Sequence, residues 1–155
     1  MFGKLSVKMS FKIIGIGEVV WDLLPSGPQL GGAPANFACH ARALGGQATV
    51  ITRVGKDSFG CKIFEQFEQL GIIQDELQVD DNAHTGTVSV SLSGNGIPHY
   101  KIHEQAAWDY LAVTQTALIA IRHADAICFG SLAQRSEQSR AAIQTLIASS
   151  PNSSL

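Results

Sequence analysis

The segment Gly31-Gly32-Ala33-Pro34-Ala35-Asn36-Phe37-Ala38 carries the strongest structural signal in the chain. Adjacent glycines let the backbone approach a ligand closely, because no Cβ stands in the way. Pro34 suits the first turn of a helix, whose free N–H groups favour electron-rich ligand oxygens. Asn36 adds an amide donor and a carbonyl acceptor. The segment therefore predicts a helix that begins against a small polyhydroxylated ligand, although a paired glycine is often only a turn.

An apolar run precedes this segment and ends near a carboxylate. Residues 12–20 are apolar and β-branched with little alternation, which is typical of a strand buried on both faces of a parallel sheet. Asp22 would then lie at the carboxyl end of a parallel strand, where open α/β sheets bind ligands. Its two oxygens can accept hydrogen bonds from neighbouring sugar hydroxyls, but a surface or capping aspartate fits the spacing equally well. Residues 23–31 contain two prolines and predict a loop or an irregular edge.

Strand and helix patterns alternate through the rest of the chain. Helices are predicted from Pro34 and over 58–70, 114–122 and 136–149, and strands over 48–54, 77–79 and 126–130. This alternation implies right-handed βαβ units, a parallel sheet and the α/β class. Residues 87–92 and 99–103 alternate apolar and polar positions and predict a hairpin. We interpret residues 85–104 as a small β lid over the ligand; an antiparallel sheet edge is the alternative.

Composition limits the classes of function. The chain has 155 residues, 45% hydrophobic and 15% charged, as expected for one globular domain. A net charge of −2 argues against a nucleic-acid partner. We expect no membrane partner, because no apolar run reaches the ~20 residues of a membrane span, and no signal peptide. Three scattered cysteines predict reduced thiols in a cytoplasmic protein. Residues 1–11 are expected to be a disordered lead-in, with Met9 as an alternative start of translation.

Four segments together resemble one protein family. They are residues 15–22, 31–38, 44–46 and 54–60. In combination they resemble the amino-terminal half of the ribokinase-like (PfkB-type) carbohydrate kinases, most closely the fructokinase-like branch. The resemblance extends from Ile13 to Ile147. It implies a ribokinase-like α/β/α fold, a parallel sheet flanked by helices, with a small β lid. It also implies that residues 1–155 are the amino-terminal part of one such domain, whose carboxyl-terminal half is absent.

The resemblance assigns sugar contacts to particular residues. In the family, the aspartate of the Gly-Glu-x-x-x-Asp stretch contacts sugar hydroxyls, and the glycine pair and the asparagine lie against the sugar. The segments before and after the hairpin flank the sugar, and Trp108 could stack on its ring, with a core tryptophan as the alternative. The carboxyl end of the strand over 126–130 adds Ser131. The predicted substrate-binding residues are Asp22, Gly31, Gly32, Asn36, Thr87, Trp108 and Ser131.

Two other segments have weaker links to a ligand. Residues 55–60 are interpreted as a turn into a helix capped by Asp57 or Ser58, with phosphate binding by Lys56 as the less favoured alternative. After the strand over 126–130, some ribose-preferring relatives carry a carboxylate, whereas this chain has Gln134 and Arg135. That departure weakens a ribose assignment and leaves these two residues as candidate substrate contacts.

The family's reaction is phosphoryl transfer from ATP, with Mg²⁺, to a sugar hydroxyl. In the family, an aspartate acts as general base beside a glycine-rich helix start, within an Asp-Thr-x-Gly-Ala-Gly-Asp type of motif. No such motif occurs in residues 1–155. The resemblance therefore implies a chain that holds a sugar platform and lacks a catalytic residue, a metal site and most ATP contacts. We expect no turnover by this chain alone.

Three alternatives stay open. The chain could be a non-catalytic sugar-binding or dimerising module, in which the lid pairs with a second copy to give a homodimer. It could derive from a 2-keto-3-deoxygluconate or nucleoside kinase of the same family. A nicotinamide-binding domain is the least favoured, since Val20 replaces the third glycine of the dinucleotide fingerprint and prolines interrupt the helix start.

Overall fold

A computed structural model of the chain describes residues 10–95 and 97–151. Most of the predicted lead-in, residues 1–9, lies outside the described residues. The strands are β1 (Lys12–Ile16), β2 (Val20–Leu24), β3 (Gly27–Gly31), β4 (Gln47–Gly55), β5 (Leu77–Asp80), β6 (Thr87–Leu92), β7 (Pro98–Ile102) and β8 (Ala126–Phe129). The helices are α1 (Ala33–Ala43), α2 (Ser58–Leu70), α3 (Gln115–Arg122) and α4 (Glu137–Ala148), with 3-10 turns at Ala107–Tyr110 and Leu132–Arg135.

The main sheet is parallel and has the strand order β5-β4-β1-β8. Alternate side chains of β4 point to opposite faces, as the pleat requires. Val50 and Val54 pack with α1 and α2, whereas Ile51 packs with α3 and α4. Helices therefore cover both faces, as the sequence pattern predicts for an α/β/α sandwich.

A second sheet has the order β3-β2-β6-β7. The predicted hairpin is present, because β6 and β7 pair in antiparallel register with Val88 opposite Ile102. Of the two predictions for residues 23–31, the loop is wrong and the sheet edge is found, since β3 pairs with β2 and places Gln29 opposite Asp22. Pro28 is tolerated there because β3 is an edge strand among the described residues, where a missing N–H breaks no ladder. The role of the hairpin over residues 85–104 as a lid remains a prediction.

The single strand predicted over residues 12–20 is two strands in two sheets. β1 ends at Ile16, and Gly17 follows with a φ of 135°, which favours glycine. The Gly17 N–H donates to the Ile51 carbonyl at 3.1 Å, and the chain then leaves the main sheet. Val20 begins β2 in the second sheet. One apolar run therefore joins the two sheets, which its composition does not reveal.

Helix ends follow the local sequence signals. The Asp57 carboxylate caps α2 by accepting the Gly60 N–H at 2.8 Å, as predicted. Gly71 ends α2 in the left-handed conformation with a φ of 69°. Thr114 and Ser136 cap α3 and α4 through their hydroxyl groups. These short-range signals place the two outer layers against the sheet.

The strand β8 is less buried than the sequence predicts. The prediction was a buried strand over 126–130, but the Phe129 residue is 50% exposed and the preceding three are half-buried. Within the described part of the chain, β8 pairs only with β1. None of the described helices is long and apolar enough to cross a membrane.

We expect Ile63→Ala to lower the free energy of unfolding by about 2–5 kcal/mol, because Ile63 is fully buried between α2 and the sheet. Urea unfolding followed by circular dichroism would measure the change. Ile119→Ala is the matched control on α3, since Ile119 is exposed, and should change stability by about 0.5 kcal/mol or less. Equal losses in the two variants would contradict this assignment of the core.

Candidate functional site

A buried glutamate lies where β1, β8 and α1 converge. Glu18 is 3% exposed, and its Oε2 accepts the Ala133 N–H at 3.2 Å. The backbone N–H of Ala33, at the start of α1, also donates to it. Burial raises the pKa of the Glu18 carboxyl above its ordinary value of 4.5, although these backbone hydrogen bonds oppose the rise. A side chain at Gly130 would overlap this carboxylate, so the end of β8 approaches it as bare backbone.

The structure places Asp22 inside β2, not at the end of a parallel strand of the main sheet as predicted. Its carboxylate is half-buried, and burial raises its pKa. Among the described residues, no hydrogen bond reaches either of its oxygens. A partly desolvated carboxylate without a donor is poised to accept hydrogen bonds from a ligand.

The paired glycines give clearance to the protein's own chain. A Cβ on Gly31 would lie 2.5 Å from Oδ2 of Asp22. A Cβ on Gly32 would lie 2.5 Å from the Glu18 carbonyl oxygen, and Gly32 has a φ of 104°. Positions 31 and 32 therefore have no room for a side chain, because residues 18–22 of the same chain pack against them. The structure brings Asp22, Gly31 and Gly32 together at the start of α1.

Asn36 lies one turn into α1 and follows directly from the glycine pair. Its N–H donates to the Gly32 carbonyl at 2.9 Å, and its side chain is exposed. It lines a groove of about 560 Å³ together with Gln29 of β3 and Lys62 of α2. No hydrogen bond joins Asn36 to Asp22 within the described residues. Asp22 is not among the residues that line this groove.

Thr87 lies on the other face of the second sheet from Asp22. The parallel register pairs Thr87 with Trp21, and Val88 with Asp22. Because paired residues of neighbouring strands point to the same face, the side chains of Thr87 and Asp22 point apart. The structure therefore does not bring the side chains of Thr87 and Asp22 together on one face of the second sheet. Gln29, Val88 and Ile102 lie across the strands on the same face as Asp22.

Trp108 is a core residue and offers no ring face to a ligand. It is fully buried, and the Arg135 guanidinium carbon lies 4.2 Å from its ring centroid. Its indole edge packs against Gly86, where any side chain would overlap it. The predicted stacking of Trp108 on a sugar is not supported, and the alternative of a core tryptophan holds.

The candidate contacts in the segment after β8 differ in whether their side chains already have partners. Ser131 is exposed at the end of β8, as predicted, and the Gln134 side chain donates to the Gly130 carbonyl at 3.2 Å. Arg135 is not a free substrate contact, because its Nε and Nη2 bond the two carboxylate oxygens of Asp109 at 2.9 and 2.7 Å. Of the candidates in this segment, Ser131 is the one whose side chain has no partner among the described residues.

The residues 55–60 form the predicted structural turn. Asp57 caps α2 and also accepts the N–H and the hydroxyl of Thr85, at 2.8 and 2.7 Å. Burial would raise the Asp57 pKa, but the hydrogen bonds from Thr85 and Gly60 outweigh it and lower that pKa. Lys56 pairs with Asp81 at the surface at 2.8 Å. This turn fixes the point where the chain enters β6.

Sequence reasoning missed two charged groups, Glu18 and the Arg135–Asp109 pair. Glu18 has a signal, since it is the one carboxylate inside an otherwise apolar run over residues 13–21. The Arg135–Asp109 pair has none, because its members are 26 residues apart in sequence. A cleft of about 660 Å³ near Arg53, Asp80 and Tyr110 is lined by none of the predicted sugar contacts. No group of three or more potential metal ligands occurs in the described residues.

Comparison with known proteins gives one consistent result. The sequence profile described as pfkB family carbohydrate kinase matches residues 28–152. Fructokinase from Escherichia coli is 34% identical over 137 residues, which represent 85% of this chain and 44% of that protein. The chain spans about half the length of the curated relatives it matches.

Solved structures share the fold. A sugar kinase from Pyrococcus horikoshii in complex with ATP superposes with a TM-score of 0.80 at 28% identity, over 92% of this chain and 51% of that one. Fructokinase from Vibrio cholerae, with fructose, ADP and calcium ion bound, gives a TM-score of 0.73 at 26% identity, over 90% and 46%. These likenesses confirm the predicted parallel sheet flanked by helices.

The buried position of Glu18 makes a prediction about pH. Because its folded pKa is raised above 4.5, the native state holds this proton more tightly than the unfolded state does. The Glu18 contribution to the free energy of unfolding therefore falls as pH rises from 4.5 through the folded pKa. Glu18→Gln cannot titrate, so the stability difference, wild type minus variant, should decrease as pH rises from 4.5 to 8.

Urea unfolding at several pH values would measure this difference. Glu65→Gln is the matched control, since it removes an exposed glutamate from α2. The change of this stability difference with pH is assigned to Glu18 only by the amount that it exceeds the change seen with Glu65→Gln. A stability difference that grows with pH would show that the carboxylate is better stabilised in the folded state than in water.

Proposed function

The chain belongs to the pfkB family of carbohydrate kinases, and from that membership we propose that the whole protein phosphorylates a sugar hydroxyl with ATP, with fructose as the sugar. The support for fructose is that relatives named fructokinase recur in the comparisons and that one related structure has fructose bound. In this proposal, residues 10–151 supply the platform on which the sugar rests.

The observation that carries the proposal is the state of Asp22. Its carboxylate is half-buried beside Gly31, has a raised pKa and has no donor among the described residues. Leaving a desolvated carboxylate unpaired costs free energy, and two adjacent sugar hydroxyls would supply the missing donors. Hydrogen bonds to a charged acceptor are the strong kind, so this one group can orient a sugar.

The second sheet supplies an apolar surface around that carboxylate. Asp22, Val88 and Ile102 lie side by side across three strands on one face, where Val88 is 5% exposed within the larger core cluster and Ile102 is partly buried against that cluster. A sugar ring has apolar C–H faces as well as hydroxyls, and binding sites combine apolar walls with a few convergent polar groups. We propose that this face closes over the sugar as a lid, with the start of α1, Gly32 and Asn36 at its border.

The nucleotide half of the reaction is assigned to no residue of this chain. ATP would supply the phosphoryl group, and Mg²⁺ would neutralise charge on the phosphates. The described residues hold no cluster of potential metal ligands, and residues 1–155 contain no P-loop motif. We propose that the general base and the ATP and Mg²⁺ contacts come from the part of the family's fold that the relatives have beyond this match.

Asp22→Asn should weaken fructose binding by about tenfold or more, because a neutral amide forms weaker hydrogen bonds to hydroxyls than a carboxylate does. The variant should be at least as stable as wild type at pH 8, since burial disfavours the charged form of Asp22. Titration calorimetry with fructose and thermal unfolding would measure the two effects. Asp75→Asn, which changes an exposed aspartate, is the matched control. Unchanged fructose affinity in Asp22→Asn would remove Asp22 from the site.

The chain alone should release no ADP above background when supplied with ATP, Mg²⁺ and fructose, because it contains no motif of the family's general-base type. A coupled assay of ADP release would measure this, with ribose as a second sugar and a complete fructokinase as the positive control. Sugar-dependent ADP release by the isolated chain would show that a base and a nucleotide site lie within residues 1–155.

A further inference from the structure

Within the second sheet, the β6–β7 hairpin is joined to the main body through two segments, each held by a carboxylate. The segment entering β6 is held at Thr85 by Asp57, through hydrogen bonds of 2.7 and 2.8 Å. The segment leaving β7 runs from His103 to Ala107. There Oδ2 of Asp109 accepts the Ala106 N–H at 2.9 Å. The position of the β6–β7 hairpin against the main body therefore depends on these two attachments.

Arg135 makes the second attachment from outside the segment. Its guanidinium forms a bidentate pair with Asp109, at 2.9 and 2.7 Å, and donates to the His103 carbonyl at 2.7 Å. Its flat face covers the Trp108 ring at 4.2 Å. One side chain thus contacts His103, just after β7, and both Trp108 and Asp109 in the 3-10 turn that follows.

The partners of Arg135 make this contact stronger than a surface ion pair. Asp109 is 6% exposed and Trp108 is fully buried, whereas the Arg135 side chain is 27% exposed, so the carboxylate of the pair is the part withdrawn from solvent. The fork of donors and the planar stack both require a guanidinium, and lysine can reproduce neither. Arg135→Lys therefore removes the bidentate pair and the planar stack while it keeps the positive charge.

Arg135 also belongs to the 3-10 turn that contacts Glu18. Ala133, two residues earlier in the same turn, donates its N–H to Glu18. Glu18 in turn accepts from Ala33 at the start of α1. The turn at Leu132–Arg135 therefore connects the exit of the second sheet to the glycine pair beside Asp22.

We propose that Arg135 is a positioning residue that latches the β6–β7 hairpin in place beside β2 and Asp22. This inference rests on the proposed sugar platform, because the latch acts on sugar affinity through the sheet and not by touching the sugar. Without the latch, β6 and β7 would separate from the body more often, and the apolar wall beside Asp22 would be present for a smaller fraction of the time.

Hydrogen–deuterium exchange of the full chain, without sugar, tests the latch directly. Arg135→Lys should raise the exchange rates of β6 and β7 amides by about tenfold and leave those of β1 and β4 unchanged, because local opening is separable from global unfolding. Arg122→Lys, an exposed arginine on α3, is the matched control and should change neither set. Unchanged exchange in β6 and β7, or an equal rise in all four strands, would overturn the proposal.

A rescue experiment separates the latch from general loss of stability. In Arg135→Ala, millimolar guanidinium chloride should slow β6 and β7 exchange again, whereas sodium chloride at the same concentration should not. A failure of guanidinium to slow that exchange counts against the latch.

Fructose titration tests whether the latch affects sugar binding. Arg135→Lys should weaken fructose binding by the factor by which it lowers the closed, binding-competent fraction, because the apparent Kd is the intrinsic Kd divided by that fraction. If wild type binds no fructose, the sugar platform is wrong, while the exchange data still decide whether Arg135 is a latch. If wild type binds fructose and Arg135→Lys binds it equally well, the latch has no role in sugar binding and this inference fails.

Discussion

The meeting point of β1, β8 and α1 depends on one buried carboxylate. Glu18 accepts backbone N–H groups from the start of α1 and from the turn after β8, so it replaces the water that those groups would otherwise bind. Both partners are backbone, so the interaction fixes where main chain passes, independently of nearby side chains. The cost is a buried charge, which is expressed as a raised pKa. The exclusion of any side chain at Gly130 follows from the same crowding.

The second constraint is that one apolar run serves two sheets. Gly17 ends β1 in a conformation that favours glycine, and Val20 begins β2 only three residues later. The short connection gives the second sheet little freedom relative to the end of β1. Asp22, two residues into β2, is consequently held close to the start of α1, and Gly31 must be glycine to leave room for its carboxylate. The proximity of carboxylate and helix entrance is thus a consequence of chain length and sterics.

Local signals in the sequence predicted the parallel sheet, the four helices, the Asp57 cap and the glycine stops correctly, because these depend on neighbouring residues. The strand β3 could not be predicted, since its glycine and proline content is tolerated only through its position at a sheet edge. The face of the sheet to which the Thr87 side chain points could not be predicted either, because it depends on the register between β6 and β2. Arg135 shows the same limit for charges: its partner Asp109 is distant in sequence, so a buried pair looked like a free substrate contact.

The glycine motif illustrates how family signatures and physical causes relate. From sequence, bare backbone at Gly31 and Gly32 suggested close approach of a ligand; in the structure, both glycines accommodate the segment from Glu18 to Asp22. The two interpretations are compatible, because the segment for which the glycines make room carries the Asp22 carboxylate, which has no hydrogen-bond donor among the described residues. Asp22 can stay unpaired and half-buried only if backbone, and not a side chain, packs against it. In the proposed sugar site, the glycines serve the ligand indirectly, by keeping the Asp22 carboxylate partly desolvated and free to accept hydrogen bonds.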